Sequence, residues 1–211
     1  MTRIFGTLFC LLMLTTGYSH GAPETCSYST YKWNVKQKKA VEFKEVSHPY
    51  SQLTPFEFDE LSGCSVCRED QRAIQVGNLP VVLVCHRFAA LLENSLNRLL
   101  EQGEPIHKLV AYRVGMTRGD VDENHNRTRF SNHSFGIAID INDEQNGLYG
   151  ECLSFGPQCV LRKGGKWDIT NPASLTSSSP IVTHLRALGF EWGGEIAGNQ
   201  KDFMHFSPSG Y

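Results

Sequence analysis

Residues 131–142 read SNHSFGIAIDIN, with a histidine at 133, a glycine at 136 and an aspartate at 140. From Phe135 to Ile141 bulky and small residues alternate, as in a half-buried strand: Ile137, Ile139 and Ile141 share one face, Gly136, Ala138 and Asp140 the other. The small residues on the second face leave room beside the carboxylate. A second stretch, Asp202-Phe203-Met204-His205-Phe206, adds a carboxylate and an imidazole three residues apart. His133, Asp140 and His205 are thus candidate ligands for a metal, and Asp202 is left over for chemistry. Catalytic zinc sites take three such ligands and keep a fourth position open, which makes an activated water available near neutral pH. A nearby carboxylate that is not a ligand can take the water's proton and pass it to a leaving amine. Residues i and i+3 of a regular strand face opposite ways, so Asp202 and His205 serve one site only across a turn or bulge, for which the Gly198-Asn199 approach is a candidate.

Working outward, Lys108–Val114 (KLVAYRV) is predicted as a strand that delivers Arg113. The polar, glycine-containing segment Gly115–Arg129 is too long for a simple hairpin turn and is expected to be a functional loop or lid. Upstream, Val82, Cys85, Phe88, Ala89, Leu92, Leu96, Leu99 and Leu100 recur at helical spacing and predict a core helix that stops at Gly103. Downstream, residues 143–170 form a glycine-rich excursion in which Cys152 and Cys159 are expected to pair. Ser179-Pro180 opens a helix, Ser as N-cap and Pro at its first position, with Ile181, Leu185 and Leu188 as its apolar stripe and Gly189 as its end. The C-terminal FEWGGEIAGNQKDFMHFSPSGY reads as two short strands joined by a glycine-rich turn. Residues 26–63 show no dependable periodicity, and there is no internal repeat.

The 211 residues, 40% hydrophobic, suffice for a sizeable core and favour a single domain. Residues 1–21, with Arg3 ahead of an apolar run and small residues around Gly21, are expected to be a secretory signal peptide cleaved near Gly21, leaving the chain secreted or periplasmic. Removing them takes away Cys10 and leaves six cysteines, an even count that favours disulfides in an exported chain. Cys64 and Cys67 form a CxxC that could be redox-active, metal-binding or structural; without a second CxxC the structural reading is preferred. The formal charge of -2 leaves no basic footprint for nucleic acid, and no second long apolar segment predicts a membrane span.

SNHSFGIAIDIN followed by GFEWGGEIAGNQKDFMHF resembles the M15 metallopeptidases, the group of D-alanyl-D-alanine carboxypeptidases and L-alanyl-D-glutamate endopeptidases. The resemblance runs from about Leu109 to Phe206 and comprises a YR strand, SxHxxGxAxD, a GFxWGG turn and DxxHF, in that order. It implies an α+β fold with a small antiparallel sheet and flanking helices, similar to the hedgehog fold, built around one Zn2+ per chain. By motif position His133, Asp140 and His205 correspond to the zinc ligands and Asp202 to the catalytic acid/base. Arg113 corresponds to an arginine that polarises the scissile carbonyl or holds a substrate carboxylate. Ser131 would contact substrate or fix the loop before His133, and Trp192 would line the cleft or pack in the core. The implied partner is peptidoglycan or its peptide fragments, hydrolysed by a monomer.

The expected organisation is a signal peptide (1–21), an N-terminal extension with the core helix (22–105), and the M15-like domain (106–211). Three departures from the family pattern are Val114 where many relatives have serine after YR, Asp202 where carboxypeptidase members often have glutamate, and Ser207 where glutamate often follows HF. Two other classes remain open: a non-catalytic zinc-containing cell-wall binding protein, and a CxxC thiol oxidoreductase. His48, His86, His107, His125 and His184 are expected to be structural or exposed, with His125 alone on a loop that could reach the site.

Overall fold

In the computed structural model, which describes residues 22–210, the strand around Asp140 is shorter than the alternation suggests. Asn132–Phe135 is a single 3-10 turn, Gly136 follows at φ +67°, and only Ile139–Ile141 is strand. Gly136 is there for a close approach rather than to make room beside the carboxylate. A Cβ on it would lie 2.0 Å from Gln71 Oε1 and 2.6 Å from the Cys85 nitrogen, and the left-handed φ already favours glycine.

Ile139–Ile141 is a central strand. It is flanked on one side by Leu109–Val110 and on the other by His205–Ser207, with Glu191–Trp192 at the far edge, all antiparallel. Of the predicted Lys108–Val114 strand only Leu109–Val110 pairs in this way. A three-stranded sheet, Val160–Lys163, Leu148–Gly150 and Gln200–Asp202, stands beside it. The α+β class holds, with several small sheets in place of one and two α-helices among the described residues.

The first helix, α1 (His86–Glu101), starts four residues later than predicted. Val82–Cys85 is instead a strand against Gln71–Ile74, because its β-branched run continues a ladder whose last amide, that of Cys85, donates to the Gly136 carbonyl. Its buried stripe, Ala89, Leu92, Leu96 and Leu99, meets Ile139, Ile141 and Phe206 of the central sheet and Ile181 and Leu185 of α2 (Pro180–Ala187) in one core. α2 has Pro at its start as expected, but the Ser179 hydroxyl accepts from the Thr176 amide rather than capping the helix.

The expected lid is a hairpin. Met116–Val121 and Arg127–Phe130 pair with two register shifts, and His125 sits in its turn at φ +63°, facing solvent rather than the site. This hairpin extends a longer one, Thr25–Asn34 with Lys39–Pro49, in the region where no periodicity was evident. The two are locked by the buried Asn34 and Asn126: Asn34 Nδ2 donates to Asn126 Oδ1 (2.7 Å), and Asn126 Nδ2 donates to the exposed Glu42 (2.7 Å). Asn126, the first residue of an N-R-T sequon, is therefore inside the fold.

All six cysteines among the described residues pair: Cys26 with Cys67, Cys64 with Cys85, and Cys152 with Cys159 as expected. The CxxC cysteines are thus each bound to a distant partner and not to one another, which leaves no dithiol for exchange chemistry. Val114, the departure after YR, packs with Cys26, Tyr28, Val66 and Cys67, so the N-terminal segment covers it with an apolar cluster.

Glu57 anchors the same region. Burial alone would push its carboxyl up, but hydrogen bonds from Tyr28 (2.7 Å), the Thr54 amide and hydroxyl, and His48 outweigh this and hold it at about 2. With the folded value below the ordinary 4.5, the network's contribution is complete above about pH 4.5 and is lost as pH falls toward 2. Denaturant melts of wild type and Glu57→Gln at several pH values should show a stability gap at pH 6 that closes by pH 2; a constant gap would contradict this.

Candidate metal centre

The two motif segments are brought together by the central sheet. Asp140 pairs in register with His205 across one strand interface and with Val110 across the other. His133 is delivered by the 3-10 turn, whose carbonyl accepts from the Arg113 amide (3.2 Å). His133, Asp140 and His205 are each 3% exposed, and a set of potential ligand atoms, one from each, lies within 4.8 Å of one another.

His133 Nδ1 lies 2.9 Å from the Ala111 carbonyl oxygen, which can only accept, so Nδ1 carries the proton. Burial pushes this imidazole down to about 4 despite the pull of Asp140, so the ring is neutral at pH 7 and Nε2 presents a lone pair. That nitrogen is 3.0 Å from Asp140 Oδ1, and His205 Nδ1 is 3.1 Å from the same oxygen. Burial would raise the Asp140 carboxyl, but it is held well below the usual range, with His205 Nδ1 placed to donate to it, so it is ionised. A neutral nitrogen lone pair facing a carboxylate at this distance is repulsive unless a cation lies between them. His205 Nε2 is buried with no hydrogen-bond partner, a further donor atom left over for such a cation. The donor set of two imidazoles and one carboxylate fits Zn2+, with a fourth position to spare.

Asp202 ends the strand Gln200–Asp202 of one sheet and His205 begins a strand of the other, with Phe203 and Met204 turning between them. The turn needed to bring the carboxylate and the imidazole together is thus at these two residues rather than at Gly198-Asn199. Phe203 pins it: its ring stacks on Trp167 (4.8 Å) and meets Phe155, Trp192 and Tyr149 edge-on, while its carbonyl accepts from the Trp192 indole (2.8 Å). Trp192 therefore packs in the core beneath the turn. Gly193 lets the Asp202 backbone come close, since a Cβ there would be 2.4 Å from its carbonyl oxygen. Asp202 Oδ1 is buried without a partner. Burial pushes its carboxyl up to about 6, with Asp140 adding to the effect and His205, Lys163 and Arg118 opposing it.

Arg113 is one-third exposed, its guanidinium 3.4 Å from Asp140 Oδ2. Ser131 is buried against the cleft, its amide bonded to the Gly115 carbonyl. Several residues that position the site carry no motif of their own. The Ser134 hydroxyl clamps both the amide and the carbonyl of Gly115, just after Arg113. Asn132 Nδ2 donates to the Ser207 and Ser209 hydroxyls (both 2.9 Å), tying the His133 turn to the end of the His205 strand; Ser207 is thus a buried bond acceptor. Asn142, at φ +51°, ends the Asp140 strand by accepting from the His107 and Lys108 amides. Lys163, on the strand after the Cys152–Cys159 loop, places Nζ 4.0 Å from Asp140 Oδ2.

A second grouping, Cys26, His48 and Glu57, is excluded as a metal site because the Cys26 sulfur is in a disulfide.

The fold and this site define a small α+β protein with a buried His/Asp/His candidate metal centre beside a carboxylate, that of Asp202, whose Oδ1 lacks a hydrogen-bond partner. Residues 124–208 match the family model for D-alanyl-D-alanine carboxypeptidases of the M15 peptidases, a span that takes in all three candidate ligands and Asp202 but starts after Arg113. The match suggests peptidase activity. No curated protein and no solved structure matches the chain. Among the described residues, no helix is long and apolar enough to cross a membrane.

Proposed function

We propose that the protein is a zinc-dependent peptidase that hydrolyses the stem peptides of peptidoglycan, with His133, Asp140 and His205 as ligands to one Zn2+. The carrying observation is the opposition of the His133 Nε2 lone pair and the ionised Asp140 oxygen at 3.0 Å, an arrangement that calls for a cation. The M15 family match over residues 124–208 supports the substrate class. A hedgehog-like arrangement of the site-bearing sheet belongs to the same reading, as do an N-terminal extension up to about residue 105 and a catalytic domain from 106 onward. Secretion after cleavage near Gly21 accords with the three disulfides, which persist in oxidising compartments.

Bound zinc supplies a Lewis acid and lowers the pKa of water toward neutrality. The chain's own residues do the rest. Asp202, with Oδ1 free of protein partners, takes the proton of the attacking water and returns it to the leaving amine. Arg113 offers a fixed positive charge at the cleft to a substrate carbonyl or carboxylate, its fork suited to paired oxygens. Ser131 lines the approach to His133. Ala111 holds the His133 tautomer through its carbonyl, so the ligand nitrogen never competes for a proton at neutral pH.

Purified protein is expected to contain one zinc per chain by elemental analysis. His133→Ala and His205→Ala should each lower zinc affinity by about two orders of magnitude or more, since a site of three protein ligands loses one outright. Full zinc occupancy in both variants under a competing chelator would rule out this ligand set.

A further inference from the structure

The metal centre opens into a cleft of about 900 Å³, a size suited to several residues of a peptide. One wall comes from the matched region: Asn132, Leu148, Leu161 and Lys163. Another comes from the N-terminal hairpin, through Tyr31, Trp33, Val35 and Lys38. The hairpin lies wholly outside residues 124–208, so nothing in the family match accounts for its presence at the site.

It is not a loosely attached strap. The Cys26–Cys67 disulfide fastens its start, the Asn34–Asn126–Glu42 network fastens its tip, and the Val35 amide donates to the His125 carbonyl (2.9 Å). The phenol end of Tyr31 packs against Gly115, where a Cβ would be 2.6 Å from its ring. Trp33 stays 37% exposed within the cleft wall, an aromatic surface held in place without being covered.

Beyond Arg113 a second cavity of about 650 Å³ begins, lined by Ser27–Tyr31, Phe43 and Glu45–Ser47 of the same hairpin together with Arg68, Leu83 and Tyr112. Tyr31 and Arg113 line both cavities, so the two abut at that pair. An arginine that terminated the cleft would have solid protein behind it; here there is further space, edged by aromatic side chains. Phe43 is 75% exposed there, with its ring 5.8 Å from that of Tyr31. Cationic side chains outnumber carboxylates along the path: Arg68 and Arg113 face Glu45 in the far cavity, and on the metal side Lys38 and Lys163 join four arginines against Asp140 and Asp202, in a chain whose formal charge is -2. That lining suits a peptide bearing carboxylates.

We propose that the hairpin Thr25–Pro49 is a substrate-binding element that carries the cleft past Arg113, so that an acidic peptide continues on both sides of the metal centre and an internal bond is cut. Tyr31 is the contact at the junction, Trp33 the contact on the metal side and Phe43 the contact on the far side. The inference rests on the peptidase reading for the word "cut", but the extended binding path does not depend on it.

The test uses full-length mature protein and two fluorescein-labelled probes: the stem pentapeptide L-Ala-D-Glu-meso-diaminopimelate-D-Ala-D-Ala and the dipeptide D-Ala-D-Ala. Binding is read by fluorescence polarisation on chelator-treated protein, and products of the zinc-loaded protein are read by mass spectrometry. The pentapeptide is expected to bind at least about tenfold tighter than the dipeptide, and digestion to release internal fragments. Tyr31→Ala and the exposed-site variant Phe43→Ala should each reduce that ratio several-fold, with thermal melts confirming the fold. Equal binding of the two probes, or a ratio untouched in both variants, overturns the proposal. A preference for the pentapeptide without hydrolysis upholds the extended path and overturns the peptidase reading. Release of terminal D-alanine alone upholds the peptidase and overturns the two-sided cleft.

Discussion

Asp202→Ala is expected to lower kcat on muropeptides by at least about 10²–10⁴-fold, the usual worth of a positioned general acid/base, while zinc content stays at one per chain. The carboxylate is not among the three candidate ligands, and its buried Oδ1 has no hydrogen-bond partner to lose. Stability should therefore be unchanged or slightly raised, because a carboxyl that burial pushes up to about 6 is held at some cost when ionised. The base must be ionised to accept the water's proton, so activity should rise with pH on the acid side. A bound dication favours the ionised form and moves that limb to about 6 or below. Undiminished hydrolysis by Asp202→Ala, measured by product analysis at saturating zinc, would remove Asp202 from the mechanism. Zinc retained in wild type with no hydrolysis of any stem peptide would favour the binding-protein alternative.

Replacing Cys64 and Cys85 together by serine is expected to cost about 3 kcal/mol, the chain-entropy value for a closed loop of this size. The bond spans 21 residues and stands directly behind the site, where the Cys85 amide holds the Gly136 carbonyl. For a chain of this length the corresponding fall in Tm is about 6–12 °C. Below the lowered transition, hydrolysis and zinc content should persist, because neither sulfur lies among the candidate ligands or the cleft walls. A thiol oxidoreductase would give the opposite pattern, losing activity with the sulfurs and keeping it in His205→Ala. The pairing of Cys64 and Cys67 with separate distant partners already argues against that class.

The candidate site was legible because its chemistry is concentrated in two short segments. His133, Asp140, His205 and Asp202 carry spacing that a metal explains, and the structure brings the four into one pocket. The helix stop at Gly103 and the proline start at Pro180 were legible for a similar reason: each rests on one residue with a narrow range of backbone conformations. Other features left no such mark. In the Thr25–Asn34 and Lys39–Pro49 strands buried and exposed residues do not alternate strictly, because much of the hairpin is solvated on both faces. The lid expected at 115–129 is a bulged hairpin for the same reason, its shifts in register breaking the period of two. The Val82–Cys85 strand was absorbed into the helix because its apolar run abuts the true helical stripe and short apolar runs fit either period. Ser134, Asn132 and Asn142 act through backbone groups far along the chain, which residue type alone does not reveal.

The two-residue turn at Phe203-Met204 separates what the motif writes as one unit. Asp202 takes its position from the register of Gln200–Asp202 against Leu148–Gly150, and His205 takes its own from Ile139–Ile141. The proposed base and the candidate ligand are therefore surveyed from different benchmarks, and the aromatic cluster around Phe203 is the joint between them. Changes in the Cys152–Cys159 excursion can re-aim Asp202 while the three candidate ligands stay where they are. A lineage could in this way retune the reacting geometry for a new peptide by editing a surface loop, without reopening the coordination sphere.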